Sequence, residues 1–152
     1  MKLEKKVAIV TGGGTGIGKG ISRSLAEAGA VVVIAQSMIG KAEKAAAELE
    51  AEGHIVIPME ADISSREMVK KLVADTIERC GAIDILVNNA AMTGPKVSDH
   101  FLHVTDELLE RTIDVNLKGT FIVSQEVART MAGRGGSIIH ISSVGAYAAQ
   151  EG

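Results

Sequence analysis

The run TGGGTGIG, Thr11–Gly18, follows a short apolar stretch, Val7–Val10, and opens a segment of helical periodicity. A strand-to-helix junction of this kind gathers unpaired N–H groups and the positive end of a helix dipole at one point. Glycines there let a diphosphate approach the backbone. No three glycines in the run have G-x-G-x-x-G spacing; Gly12, Gly16 and Gly18 form G-x-x-x-G-x-G instead. Gly14, Gly18 and Gly20 share that spacing but begin further from the strand, so the first set is preferred. No Lys-Ser/Thr pair follows the loop, which argues against a P-loop. About twenty residues on, where a Rossmann unit holds its adenosine ribose, stand Gln36 and Ser37. An acid at that point would accept from both ribose hydroxyls and select NAD; a basic residue would pair with a 2′-phosphate and select NADP. Gln36 is neutral and can donate or accept. Ser37 can bond a 2′-phosphate weakly and Lys41 can add charge, but a plain polar strand end is an equal reading. The choice between the two coenzymes stays open.

Other candidate groups carry less. Tyr147 is the only tyrosine, and four residues on stands Glu151, whose carboxylate would raise the phenol pKa rather than lower it. The small-residue stretch around Tyr147 reads as a loop. His100 and His103 can share a helical face, but no further ligand completes a metal set, so a solvated pair is expected and no metal site. His140 falls inside an apolar stretch and is expected to be packed; His54 carries no motif. Cys80, the single cysteine, has no neighbour in sequence that would lower its pKa, and a lone cysteine suits a reducing compartment.

The elements that must position these residues alternate. Apolar runs at Val7–Val10, Val31–Ala35, Ile55–Ile57, Ile83–Val87 and Ile138–Ile141 read as five buried strands. Between them lie helical stripes. Ile17, Ile21 and Leu25 form one, stopped by Gly29. Ala42, Ala45, Ala46 and Leu49 form the next within Lys41–Glu52, stopped by Gly53. Val69, Leu72, Val73, Thr76, Ile77 and Cys80 run up to Gly81. The longest, Thr105–Met131, offers Leu108, Leu109, Thr112, Ile113, Leu117, Thr120 and Phe121 as its apolar face. Continuous rather than alternating apolar strands indicate a sheet covered on both faces. The order predicts an α/β, Rossmann-type doubly wound parallel sheet of five strands, forming one domain over residues 1–152. Residues 94–103 are the one loop-like insertion.

With these elements in place, the sequence resembles the short-chain dehydrogenase/reductase family over its whole length. The resemblance rests on TGGGTGIG, ADIS at Ala61–Ser64, NNAA at Asn88–Ala91, Asn116 in DVNLKGT, and ISS at Ile141–Ser143. It implies NAD or NADP on the sheet and a hydride moved to or from a carbonyl or alcohol carbon of a small substrate. The coenzyme set it implies is Gly12, Gly14, Thr15, Gly16, Ile17, Gly18, Gln36, Ser37, Asp62, Ile63, Asn89, Ala90 and Ala91. Asp62 matches an adenine-contacting aspartate. A local role stands beside this: Asp62, or Ser64 in S-x-x-E with Glu67, can cap the next helix. In the family's N-N-A-G the first asparagine braces the central strands and the rest line the coenzyme. Ala91 replaces the usual glycine, and its methyl would narrow the approach and restrict φ. Asn116 sits mid-helix, an unfavourable place for asparagine, and the resemblance makes it the holder of a water in a proton relay. Ser143, ahead of its neighbour Ser142, matches a substrate-orienting hydroxyl.

The family's chemistry depends on Y-x-x-x-K, which is absent from these residues. The expectation is therefore a portion of a short-chain reductase, C-terminally incomplete relative to the family, that binds coenzyme with little or no turnover. A non-catalytic nucleotide-binding or interaction module is the alternative, and a partner chain that supplies the missing pair is a third reading. An apolar edge at the fifth strand, with Ile138, Ile139 and Ile141, predicts a homo-oligomer. Composition fits a soluble globular protein, 46% hydrophobic and 23% charged. A net charge of −3 and 2% aromatics give no footprint for nucleic acid or an anionic membrane. No apolar run reaches the ~20 residues of a membrane span, and a cytoplasmic location is expected.

Overall fold

The computed structural model describes residues 2–93, 101–143 and 145, and of Phe101 the backbone alone. Five strands form one parallel sheet: β1 Val7–Thr11, β2 Val31–Gln36, β3 Val56–Glu60, β4 Ile85–Asn88 and β5 Ser137–His140. Their spatial order is β3-β2-β1-β4-β5, and every pairing is parallel. The connections run outward in one direction from β1 through β2 to β3 and in the other from β4 to β5. The switch point therefore lies between β1 and β4, where open α/β sheets bind ligands.

Successive side chains of a strand point to opposite faces, and here both faces are covered. Ile9, Val33 and Leu86 turn towards α3, Arg66–Cys80, and α5, Thr120–Met131, and join one core cluster. Ala8, Val10, Val32 and Ile34 turn towards α1, Gly16–Glu27, and α2, Ile39–Ala51, and join the other. The alanine stripe of α2 is buried as its spacing predicts, and so are Val69, Leu72, Val73 and Thr76 of α3, while Ile77 and Cys80 at its end are half-buried. Gly81 ends α3 in the left-handed conformation at φ 81°, the usual glycine stop.

Three expectations are corrected. Gly18, Ser22 and Ala26 are the buried residues of α1; of the expected stripe Ile21 and Leu25 pack partly buried against the core, but Ile17 is 71% exposed. Small residues face inward because α1 lies hard against the glycine loop: a Cβ on Gly18 would stand 2.2 Å from the Gly12 carbonyl oxygen. The third strand starts one residue later than predicted and runs on through Pro58 to Glu60. It is an edge strand, where a residue without an N–H is tolerated.

The third correction concerns the long helix. It consists of α4, Asp106–Thr112, a π-helical segment Ile113–Gly119, and α5 without interruption. Its buried residues are Val115, Gly119, Ile122, Val123, Glu126, Val127 and Met131. Leu109, Ile113, Leu117 and Phe121, expected to face the core, are exposed. The whole stripe, from Leu109 ahead of the π segment to Phe121 beyond it, lies on the outer side of the helix. Gly119 lies against Ile63, whose side chain a Cβ there would meet at 2.8 Å. Of the 94–103 segment, residues 101–103 form a short 3-10 turn. No helix of the described residues is long and apolar enough to cross a membrane.

Candidate functional site

A cleft of about 800 Å³ opens at the carboxyl ends of the strands, over the β1/β4 switch point. Of the residues expected at a coenzyme, all but Gly14 line it, and Asn116 and Ser143 line its other end. Gly14 is buried elsewhere: a Cβ there would meet the Lys41 carbonyl oxygen at 2.7 Å, so its place is against the first turn of α2. Tyr147, Glu151 and His100 lie outside the described residues.

The glycine loop is shaped by backbone. Gly12 and Gly16 adopt φ +65° and +51°, which side-chain-bearing residues rarely do. The Gly18 position has no room for a Cβ beside Gly12 and Asn89, whereas Gly20 faces open space. Gly18 belongs to both glycine triplets; of the other members, Gly12 and Gly16 hold positive φ, and Gly20 carries no such constraint. Thr15 precedes α1 without a side-chain bond to the helix, and no acid sits in the first turn. By contrast Ser65 caps α3 by accepting from the Met68 N–H, and Thr105 caps α4 by accepting from the Leu108 N–H. The first turn of α1 therefore carries neither a side-chain cap nor an acid on its N–H donors, the setting in which helix N-termini attract anions.

Thr11 and Asn89 lock the loop to β4. The Thr11 hydroxyl accepts from the N–H groups of Asn89 and Ala90 at 3.0 and 3.1 Å. The Asn89 amide donates to the carbonyls of Thr11 and Gly12 at 3.0 and 3.3 Å. The bracing of β1 against β4 thus belongs to the second asparagine of the pair, not the first. Asn88 instead donates to Ser124 Oγ of α5 at 2.9 Å and faces His140 Nδ1 at 3.4 Å. Its Oδ1 is buried without a protein partner. His140, expected to be packed, is exposed on the cleft wall. Ala91 keeps an ordinary negative φ, so the methyl in place of glycine introduces no backbone strain.

At the other side of the loop, Gln36 Oε1 accepts from the Gly14 N–H at 3.2 Å. This leaves the donor side of the amide uncommitted. Asp62 follows β3 and is held from two directions. Its Oδ1 accepts from the N–H and hydroxyl of Ser64 at 2.9 and 2.6 Å. Its Oδ2 accepts from Arg111 of α4 at 2.8 Å, while the same guanidinium donates to Ser64 Oγ at 2.8 Å. Burial pushes the Asp62 carboxyl upward, but the bonds from Ser64 and Arg111 outweigh it and hold the group below the usual aspartate range. Neither Asp62 nor Ser64 caps α3; Ser65 does.

Asn116 sits in the π segment, a form common at functional sites. Its Oδ1 accepts from the Met92 N–H at 2.7 Å and its Nδ2 donates to the Met92 carbonyl at 3.1 Å. Two of its four bonding positions thus fix the chain leaving β4. Ser143 is exposed at the end of β5, where its hydroxyl accepts from the Gly145 N–H at 3.2 Å. Arg111 was not foreseen. Its signal in sequence is no more than a cation on a helix, and only the pairing with a residue 49 positions away reveals it. Among the described residues no group of three His, Cys, Asp or Glu side chains could hold a metal. Burial pushes the Cys80 thiol up.

Comparison with known proteins gives this geometry a lineage. A family model described as short chain dehydrogenase matches residues 6–152. Dehydrogenase/reductase SDR family member 4 of Bos taurus is 36% identical over 146 residues, covering 95% of this chain and 52% of that protein. Versicolorin reductase 1 of Aspergillus parasiticus is 38% identical over 143 residues, covering 93% and 53%. The crystal structure of gox2181 superposes with a TM-score of 0.93 at 36% identity, covering 99% of this chain and 58% of that one. The chain thus spans about half the length of the curated relatives it matches.

Proposed function

The chain belongs to the short chain dehydrogenase family of oxidoreductases, and from that premise we propose that its cleft binds NAD or NADP by the diphosphate. The observation that carries this is the uncapped first turn of α1 behind a loop in which Gly12 and Gly16 have positive φ and Gly18 admits no side chain. The residues present fit such a group: a built anion site at one point, with acceptor and amide groups at the adenosine side. N–H groups at the start of α1 receive the diphosphate. Gln36 turns its amide donors, and Ser37 its hydroxyl, to the ribose. Asp62 accepts from the adenine amine.

When bound, the coenzyme supplies or accepts the hydride exchanged with a carbonyl or alcohol carbon. At that end of the cleft the Ser143 hydroxyl donates to the substrate oxygen and orients it. Asn116, anchored on Met92, directs its remaining donor and acceptor to a water on the proton path. The tyrosine–lysine pair that the family needs is not among residues 1–152. These residues alone are therefore proposed to bind coenzyme with little or no turnover, and hydride transfer belongs to an enzyme of the relatives' full length.

The test is calorimetric titration of the protein with NADH, NADPH and ATP. Tight binding of one or both dinucleotides, with ATP weaker by at least about tenfold, is the expected result. Equal or better binding of ATP would favour a nucleotide-binding module without redox chemistry. Failure of all three to bind sinks the reading.

A further inference from the structure

Both oxygens of Asp62 are engaged, and the count of what remains is informative. A carboxylate offers about four acceptor positions. Oδ1 takes two bonds from Ser64, and Oδ2 takes one from Arg111. One position is left, on Oδ2. Arg111 reaches Asp62 from α4, across the cleft that both residues line, and closes a ring by donating to Ser64 as well.

We infer that Arg111 is a positioning residue that sets the base preference of the nucleotide site, by fixing Asp62 as a charged group with a single vacant acceptor. The inference rests on the coenzyme reading above. A base that presents an amino group to that vacancy gains a charge-assisted bond. One that presents a carbonyl oxygen meets a lone pair head-on, with no proton on Asp62 to relieve the contact. Adenine is of the first kind and hypoxanthine of the second. Arg111 does not touch the base in this account, since its guanidinium is turned to Asp62 and Ser64. Without it Oδ2 has two vacancies, the carboxylate is held through Oδ1 alone, and the Ser64 hydroxyl loses the donor that orients it. A lysine could neutralise the carboxylate but not bridge both partners, because the planar fork is what spans them.

The test compares NADH and NADPH with their hypoxanthine analogues by calorimetric titration, in the unaltered protein, Arg111→Ala, Arg111→Lys, Asp62→Asn and the Arg111→Ala/Asp62→Asn double variant. The unaltered protein should favour adenine by about tenfold, the ordinary worth of one hydrogen bond to a charged group. Arg111→Ala should remove most of that preference by weakening the adenine coenzyme alone, and Arg111→Lys should keep part of it. In the Asp62→Asn background the loss of Arg111 should add nothing. Equal weakening of both bases by Arg111→Ala, or additive losses in the double variant, would overturn the inference and leave Arg111 a structural or phosphate contact. Should Arg111→Ala not fold, Arg111→Lys with unchanged base preference overturns it equally. Absence of dinucleotide binding by the unaltered protein defeats the coenzyme reading itself and this inference with it.

Discussion

At the scale of single residues, two glycines only two positions apart on α1 make the sharpest contrast. Gly18 is wedged beside the Gly12 carbonyl and the Asn89 amide; Gly20, on the same helix, is exposed with nothing within 4 Å of a Cβ. Gly18→Ala must displace backbone and is expected to cost about 1–3 kcal/mol of stability. It should also weaken dinucleotide binding by about tenfold or more, because the shifted atoms carry the loop. Gly20→Ala should stabilise by roughly 0.5–1 kcal/mol and leave binding unchanged. Thermal melts with calorimetric titration of both variants check this, and matching losses would mean that the wrong triplet holds the diphosphate. The glycine loop was legible in the sequence because positive φ and the close approach of α1 to the loop both demand glycine. Arg111 was not legible, because its meaning lies in an ion pair made across the fold.

Among the elements, α3 and α5 are joined by Glu126, a carboxylate only 8% exposed that pairs with Arg66 of α3 and Arg129 of its own helix. Burial pushes its pKa up, but the bonds from Arg66 and Arg129 prevail and the group lies below the usual glutamate range. A carboxyl depressed in the folded state contributes stability that is whole above its unfolded value of 4.5. That stability disappears as pH falls through the folded value. Glu126→Gln is therefore expected to lower Tm at neutral pH and to flatten its decline in acid, converging with the parent at the lowest pH. Parallel curves for the two proteins would show that the clamp contributes nothing through charge. Strand and helix identities followed from period and from glycine stops, as in α2 and α3. The phase of α4–α5 did not, since its apolar stripe Leu109, Ile113, Leu117 and Phe121 lies on the outer side along its whole length. Nor did the inner face of α1, where Gly18, Ser22 and Ala26 pack and the larger Ile17 stays out.

For the molecule as a whole, the exposed stripe Leu109, Ile113, Leu117 and Phe121 is the main unpartnered apolar feature of the long helix. Self-association is expected on this face rather than at β5 alone, although Ile139 and Ile141 at that edge are also exposed. Sedimentation of the parent should show concentration-dependent association, and Leu117→Glu with Phe121→Glu should abolish it. A parent that remains monomeric at high concentration would rule this out. The π segment has one last consequence. It acts as a phase adjuster: within it Asn116 is aimed at Met92, downstream of it Val123 and Val127 are seated in the core, and ordinary winding advances about 100° per residue. Deleting any single residue of 113–119 would restore regular winding yet satisfy only one of those two anchors, so the length of this stretch is as constrained as its composition.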